Sequence, residues 1–132
     1  MLQRLSIKNY AIIEAVEVDF TQGLNIITGE TGAGKSILLG ALTVLLGDRF
    51  DKQSLYDENQ KCIIEAIFDI SHLKIEAFFT ENELDYQEAC ILRREVNANG
   101  RSRSFINDTP VQVKQIRALA AYLIDIHAQH NI

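Results

Sequence analysis

The stretch Leu24-Asn25-Ile26-Ile27-Thr28-Gly29-Glu30-Thr31-Gly32-Ala33-Gly34-Lys35-Ser36 decides how this sequence is read. It matches the pattern G-x-x-x-x-G-K-[ST] at every fixed position, through Gly29, Gly34, Lys35 and Ser36. A short β-branched run, Leu24 to Thr28, leads straight into the loop. Behind it, Lys35 to Leu46 places Ile37, Leu38, Ala41, Leu42, Leu45 and Leu46 at helical spacings, and Gly47-Asp48 ends the pattern. Strand, loop and helix therefore come in the order that a phosphate-binding loop requires.

The chemistry follows from the residue types. Glycines let the backbone curl so that successive N–H groups point at phosphate oxygens, and the helix that follows adds its positive dipole end. Gly29, Glu30, Thr31, Gly32, Ala33, Gly34, Lys35 and Ser36 are thus the expected nucleotide-binding residues, with Thr31, Gly32 and Ala33 supplying amides. Lys35 is expected to neutralise β- and γ-phosphate charge, and the Ser36 hydroxyl to ligate Mg²⁺. The expected ligand is a nucleoside triphosphate with magnesium.

Upstream, Leu5 and Ile7, then Val16, Val18 and Phe20, alternate with polar residues, which predicts two antiparallel strands with one buried face. Downstream, Asp48 to Lys61 is polar and aperiodic and reads as a surface loop. Cys62 to Ile70 reads as a strand, Leu73 to Thr80 as a short helix, and Ala89 to Val96 as a strand. The turn Asn97-Ala98-Asn99-Gly100 then predicts a hairpin returning through Arg101 to Ile106. Thr109-Pro110-Val111-Gln112 combines an N-cap threonine, proline at the first helical position and glutamine three residues after the cap, predicting a helix from Pro110 to about Tyr122. Leu123-Ile124-Asp125-Ile126-His127 reads as a last buried strand.

A chain of 132 residues is long enough to bury a core as one globular unit. The net charge of -5 provides no global attraction for nucleic acid, so any DNA contact must be local. Arg93, Arg94, Arg101 and Arg103, offset by Glu95, are the local candidates, with a solvated face paired to the acidic Glu81-to-Glu88 segment as the alternative. Cys62 and Cys90 sit in apolar strand-like runs and read as buried thiols, in keeping with a reducing cytoplasm. The longest apolar run, Ile37 to Gly47, falls well short of the ~20 residues of a membrane helix, and no export leader is recognisable.

Hydrolysis also needs an acid at the end of a second buried strand to hold magnesium. Asp69 and Asp125 both follow apolar residues, but neither is followed by a glutamate that would serve as base. His127 and His130 lack a partner at a spacing diagnostic of zinc, whereas the neutral amide of Gln129 is suited to touching Mg²⁺ or an attacking water.

Several of these segments together resemble the N-terminal part of the RecN family of bacterial DNA-repair ATPases, relatives of the structural-maintenance-of-chromosomes (SMC) proteins. The carriers are Leu2-Gln3-Arg4-Leu5-Ser6-Ile7-Lys8-Asn9-Tyr10-Ala11-Ile12-Ile13, the run Gly23 to Ser36 with its Glu30-Thr31 variant of the loop, Gly100-Arg101-Ser102-Arg103-Ser104-Phe105-Ile106-Asn107, and Asp125-Ile126-His127-Ala128-Gln129-His130. The resemblance implies an α/β fold: a P-loop NTPase, the N-terminal lobe of an ABC-type ATPase head, with a mixed β-sheet and an antiparallel β portion. It also implies ATP and Mg²⁺ as cofactors, ATP-driven pairing with a second head, and action at DNA double-strand breaks in the cytoplasm, at the nucleoid and away from membranes. Under it Gln129 looks like the glutamine that senses Mg²⁺ and the γ-phosphate, which with Lys35 makes up the expected catalytic pair, and Arg49 looks like the arginine loop after the first helix.

Asp108 stands where the family tends to have glycine. No signature motif, aspartate-glutamate pair or switch histidine of a second lobe is found, so residues 1–132 are expected to be one lobe of a longer chain. Two other enzymatic readings stay open from the residues alone, beside a non-enzymatic interaction module. One is a complete small kinase with Asp125 as magnesium ligand; the other is an ABC transporter subunit, although Ile37 follows Ser36 where transporter loops usually have threonine.

Overall fold

The computed structural model describes residues 1–20 and 32–130, with side chains placed for residues 1–20 and 34–123. Six strands form one sheet: β1 (Leu2–Tyr10), β2 (Ile13–Asp19), β3 (Cys62–Asp69), β4 (Ala89–Val96), β5 (Ser102–Ile106) and β6 (Thr109–Val111). Their order is β2-β1-β3-β4-β5-β6, and every described pairing is antiparallel. Among the described residues three α-helices accompany the sheet: α1 (Gly32–Leu45), α2 (Glu76–Glu81) and α3 (Val113–His130). A single 3-10 turn, Lys52–Ser54, interrupts the loop after α1.

The register explains the core. Because side chains alternate along a strand, one face collects Leu5, Ala66, Leu92 and Ile106 in a single cross-strand row, each almost fully buried. The neighbouring row is Ile7, Ile64, Arg94 and Ser104, so an arginine lies in the core-facing register. Over this face α1 lays Ala41, Val44 and Leu45, α2 lays Phe78 and Phe79, and α3 lays Ile116, Leu119 and Leu123 at helical spacing. Phe79 meets Tyr86 edge to face at 5.3 Å, an arrangement favoured by the ring quadrupoles. Among the described residues no helix is long and apolar enough to cross a membrane.

Most expected elements are present, with three corrections. Thr109–Val111 is an edge strand rather than the start of a helix: Pro110 pairs with Phe105, a position where its missing N–H leaves no ladder bond unmade on the outer side. The capping contact lies three residues further on, where the Gln112 N–H donates to Gln115 Oε1 at 2.8 Å and α3 begins. The expected strand Leu123–His127 lies inside α3; a short apolar run fits either periodicity, and no glycine or proline stops the helix that precedes it. The short helix begins at Glu76 rather than Leu73. The expected strand Leu24 to Thr28 lies outside the described residues.

Candidate nucleotide-binding site

Gly29, Glu30 and Thr31 of the phosphate-binding loop also lie outside the described residues. Gly32, Ala33 and Gly34 form the first turn of α1, followed at once by Lys35 and Ser36, both exposed. The first turn of this helix carries no acidic residue. An exposed lysine, a hydroxyl and the positive end of a 14-residue helix whose first turn is free of acidic residues suit an anionic phosphate chain and its cation.

At its other end the helix closes on Gly47, whose φ of 119° is open to glycine but strained for other residues. The N–H groups of Gly47 and Asp48 donate to the carbonyls of Val44 and Thr43 at 3.1 and 3.0 Å, the paired bonds of a glycine-terminated helix. Arg49 follows, exposed, beside a shallow cleft that it lines with Phe50, Asp51, Lys52 and Gly100.

The remaining candidates divide. Asp69 ends β3 as expected, but its Oδ1 accepts from the Ser71 N–H at 2.9 Å and the Ser71 hydroxyl at 2.6 Å. Those bonds hold its carboxyl below the usual carboxylate range and occupy it locally. Asp125 and Gln129 fall in α3, not at the end of a strand, and their side chains are outside the description.

The four hairpin arginines do not form one surface. Arg94 is buried: its Nε donates to Ser102 Oγ at 2.8 Å and its Nη1 to the carbonyls of Val44, at 2.6 Å, and Asp48. Burial, with the Arg117 charge nearby, pulls its pKa down, but an arginine stays charged. Arg93 lies on the opposite face, paired with Asp108 at 3.0 Å, Glu95 at 3.1 Å and Glu65 at 3.7 Å. Only Arg101 and Arg103 present exposed side chains among the four. Neither paired arginine uses the Glu81-to-Glu88 segment. Strand parity sets Arg94 on the side of Cys90, Leu92 and Val96, but the carbonyls that it meets there come from residues distant in sequence.

Sequence reasoning missed two polar clamps. Asn9, buried, holds the loop after α1: its Nδ2 donates to the carbonyls of Asp57 and Gln60 at 3.0 and 2.9 Å, and its Oδ1 accepts from the Asp57 N–H. Asn107 holds the β5–β6 turn, as considered below. Neither had a sequence signal beyond the tolerance of asparagine for positive φ, which both adopt.

Comparison with known proteins adds the family. The model of the AAA domain family matches residues 4–130. The protein named DNA repair protein RecN from Haemophilus influenzae is 40% identical over 134 residues, covering 98% of this chain and 24% of its own length. Its namesake from Bacillus subtilis is 37% identical, over 99% of this chain and 23% of its own length. The chain therefore spans about a quarter of the relatives it matches.

Among solved structures, one from work on ATP-driven dimerization and DNA-stimulated activation of SMC ATPases superposes with a TM-score of 0.66 at 19% identity, over 89% of this chain and 75% of that one. The SMC head domain from Thermotoga maritima gives 0.59 at 19% identity, over 89% and 41%. The fold is thus the α/β P-loop ATPase-head architecture expected. The resemblance to RecN holds over nearly the entire sequence, and through the match across residues 4–130 the chain belongs to the AAA domain family.

Proposed function

We propose that residues 1–132 are the nucleotide-binding first lobe of an ATPase head that works in DNA double-strand-break repair, as part of a longer chain. The observation that carries this reading is the exposure of Lys35 and Ser36 at the acid-free start of α1, directly behind the glycine-rich loop. Lys35 holds β- and γ-phosphate charge, Ser36 offers its hydroxyl to Mg²⁺, and the amides from Gly29 to Gly34 cradle the phosphates. Bound magnesium supplies charge neutralisation for phosphoryl transfer. Gln129 would contact the metal or orient the attacking water.

Turnover belongs to the full-length protein. A second lobe supplies the acidic base that neither Asp69 nor Asp125 provides here, and ATP draws two heads together on DNA in the cytoplasm. A self-contained kinase and a transporter subunit are the less supported readings, since the relatives that cover 98% of the chain carry the name of a DNA repair protein.

The test is Mg-ATP titration and ATP turnover with the full-length protein and with the 132-residue chain. Lys35→Ala should abolish binding in both, and only the full-length protein should turn ATP over. Lys35-dependent turnover by the short chain would overturn the half-head reading and bring back Asp125 as the magnesium ligand of a small enzyme.

A further inference from the structure

The two ends of α1 are held very differently. Its buried residues, Ala41, Val44 and Leu45, all lie in the C-terminal half. From Gly34 to Gly40 no residue is buried, and Lys35, Ser36 and Leu39 are exposed. The end that carries Lys35 and Ser36 is therefore the less packed of the two, with Leu38 only half-buried against the core.

That packed end carries more than a glycine cap. From the middle of β4, the 7% exposed Arg94 donates to the carbonyls of Val44 and Asp48 while holding Ser102 on β5. From α3, Arg117 brings Nη2 and Nε to 2.9 and 3.2 Å from the Gly47 carbonyl. Two guanidinium groups thus sit on the negative end of the helix dipole and tie it to the sheet on one side and to α3 on the other. Glycine at 47 is required for this contact too, because a Cβ there would stand 2.6 Å from Arg117 Cγ.

An α-helix is hydrogen-bonded along its length and moves as a rod, so a shift or rotation allowed at its C-terminal end appears at its N-terminal end. We infer that Arg94 and Arg117 are positioning residues of the nucleotide site, which fix Lys35 and Ser36 in place by clamping the far end of α1. The inference rests on the reading of Lys35 and Ser36 as phosphate and magnesium contacts.

The experiment is Mg-ATP affinity, by calorimetric titration of the full-length protein. Arg117→Met weakens binding roughly tenfold, in keeping with the sensitivity of phosphate sites to small misplacements. Arg117→Lys restores part of the loss, and Arg94→Met acts in the same direction if the protein folds; the exposed Arg117 keeps the test independent of that. Gly47→Ala displaces Arg117 and also strains the cap, so it loses at least as much as Arg117→Met, and the double variant loses no more than Gly47→Ala alone, because the Arg117 contact is already gone there. Ile116→Val trims the core next to Arg117 on α3 and leaves affinity unchanged.

Wild-type affinity in Arg117→Met, additive losses in the double variant, or an equal loss in Ile116→Val would overturn the inference. Unchanged binding in Lys35→Ala would instead overturn the reading of the site, and this inference with it. Lys35-dependent binding that ignores Arg117 overturns the clamp alone.

Discussion

The Arg93 guanidinium lies 4.2 Å from the centre of the Phe105 ring, one strand away, and the Arg103 guanidinium lies 5.3 Å from the same ring. Phe105 is itself buried to 6% exposure, although its parity is opposite to that of the core row through Ile106. The cations cover an aromatic ring on the outer face of the sheet, and Arg93 adds carboxylates from three strands or turns. Its three carboxylate partners make Arg93 a structural element and separate it from Arg101 and Arg103, which stay exposed although Arg103 reaches the same ring.

The separation predicts different DNA behaviour in the full-length protein. Replacing Arg101 and Arg103 by alanine should weaken DNA binding and lower the slope of log affinity against log salt by about 1 for each arginine that meets a phosphate. Arg93→Ala should leave that slope unchanged and lower the unfolding midpoint in urea. Binding isotherms at several salt concentrations check both, and an unchanged slope in the Arg101 and Arg103 variant would return those residues to the solvated-face reading.

Asn107 and Asp108 both adopt positive φ, 48° and 68°, in a two-residue turn between the paired Ile106 and Thr109. Asp108 therefore occupies a conformation that glycine would take more easily, and its carboxylate bonds Arg93 in return. Asn107 does more: Oδ1 accepts from the Ile91 N–H at 2.8 Å, and Nδ2 donates to the Asp85 carbonyl at 2.8 Å. Asn107→Ala should cost about 3 kcal/mol, by stranding buried partners and forcing alanine into the left-handed region. Asp108→Gly should change stability by less than about 1 kcal/mol, since relief of strain offsets an exposed ion pair. Denaturant unfolding of the two variants measures the contrast.

Asp69 is committed to Ser71. Asp69→Asn should accordingly leave Mg-ATP affinity and turnover of the full-length protein within about twofold of the wild type, because the loss of one local turn bond is a small effect. A turnover loss of a hundredfold or more would instead make Asp69 the magnesium aspartate.

Cys62 and Cys90 are buried, and burial pushes both thiols up to about 12. Each folded thiol thus stays protonated above the ordinary thiol range, where an unfolded one ionises. The unfolded state then binds fewer protons, so stability should fall as pH rises from the unfolded pKa towards the folded one, and no such term acts below that window. Urea unfolding followed between pH 7 and 10 should show this decline, and the double replacement of Cys62 and Cys90 by alanine should flatten it. At neutral pH a thiol reagent should label neither cysteine until denaturant is added.

The sequence by itself determined whatever depends on local pattern. Alternation in Leu5 and Ile7 and in Cys62 to Asp69 specified strands and their buried faces; in the second strand only Val18 is buried, and Val16, expected on the same face, is exposed. Asn97 to Gly100 specified the hairpin. The motif from Gly29 to Ser36 named the candidate site because its chemistry lies in consecutive residues. Tertiary structure alone decided what depends on distant partners. Thr109–Val111 becomes a strand because β5 presents an edge to it, and the capping signal moves to Gln112 and Gln115. Arg94 and Arg93, adjacent in sequence, separate onto opposite faces: one is bound to carbonyls at the end of α1 and just beyond it, 50 and 46 positions away, and the other to carboxylates on its own strand, the neighbouring strand and a turn. A charge run is visible in one dimension, but which of its charges meets solvent is set by the pleat of the strand and by what packs on each side.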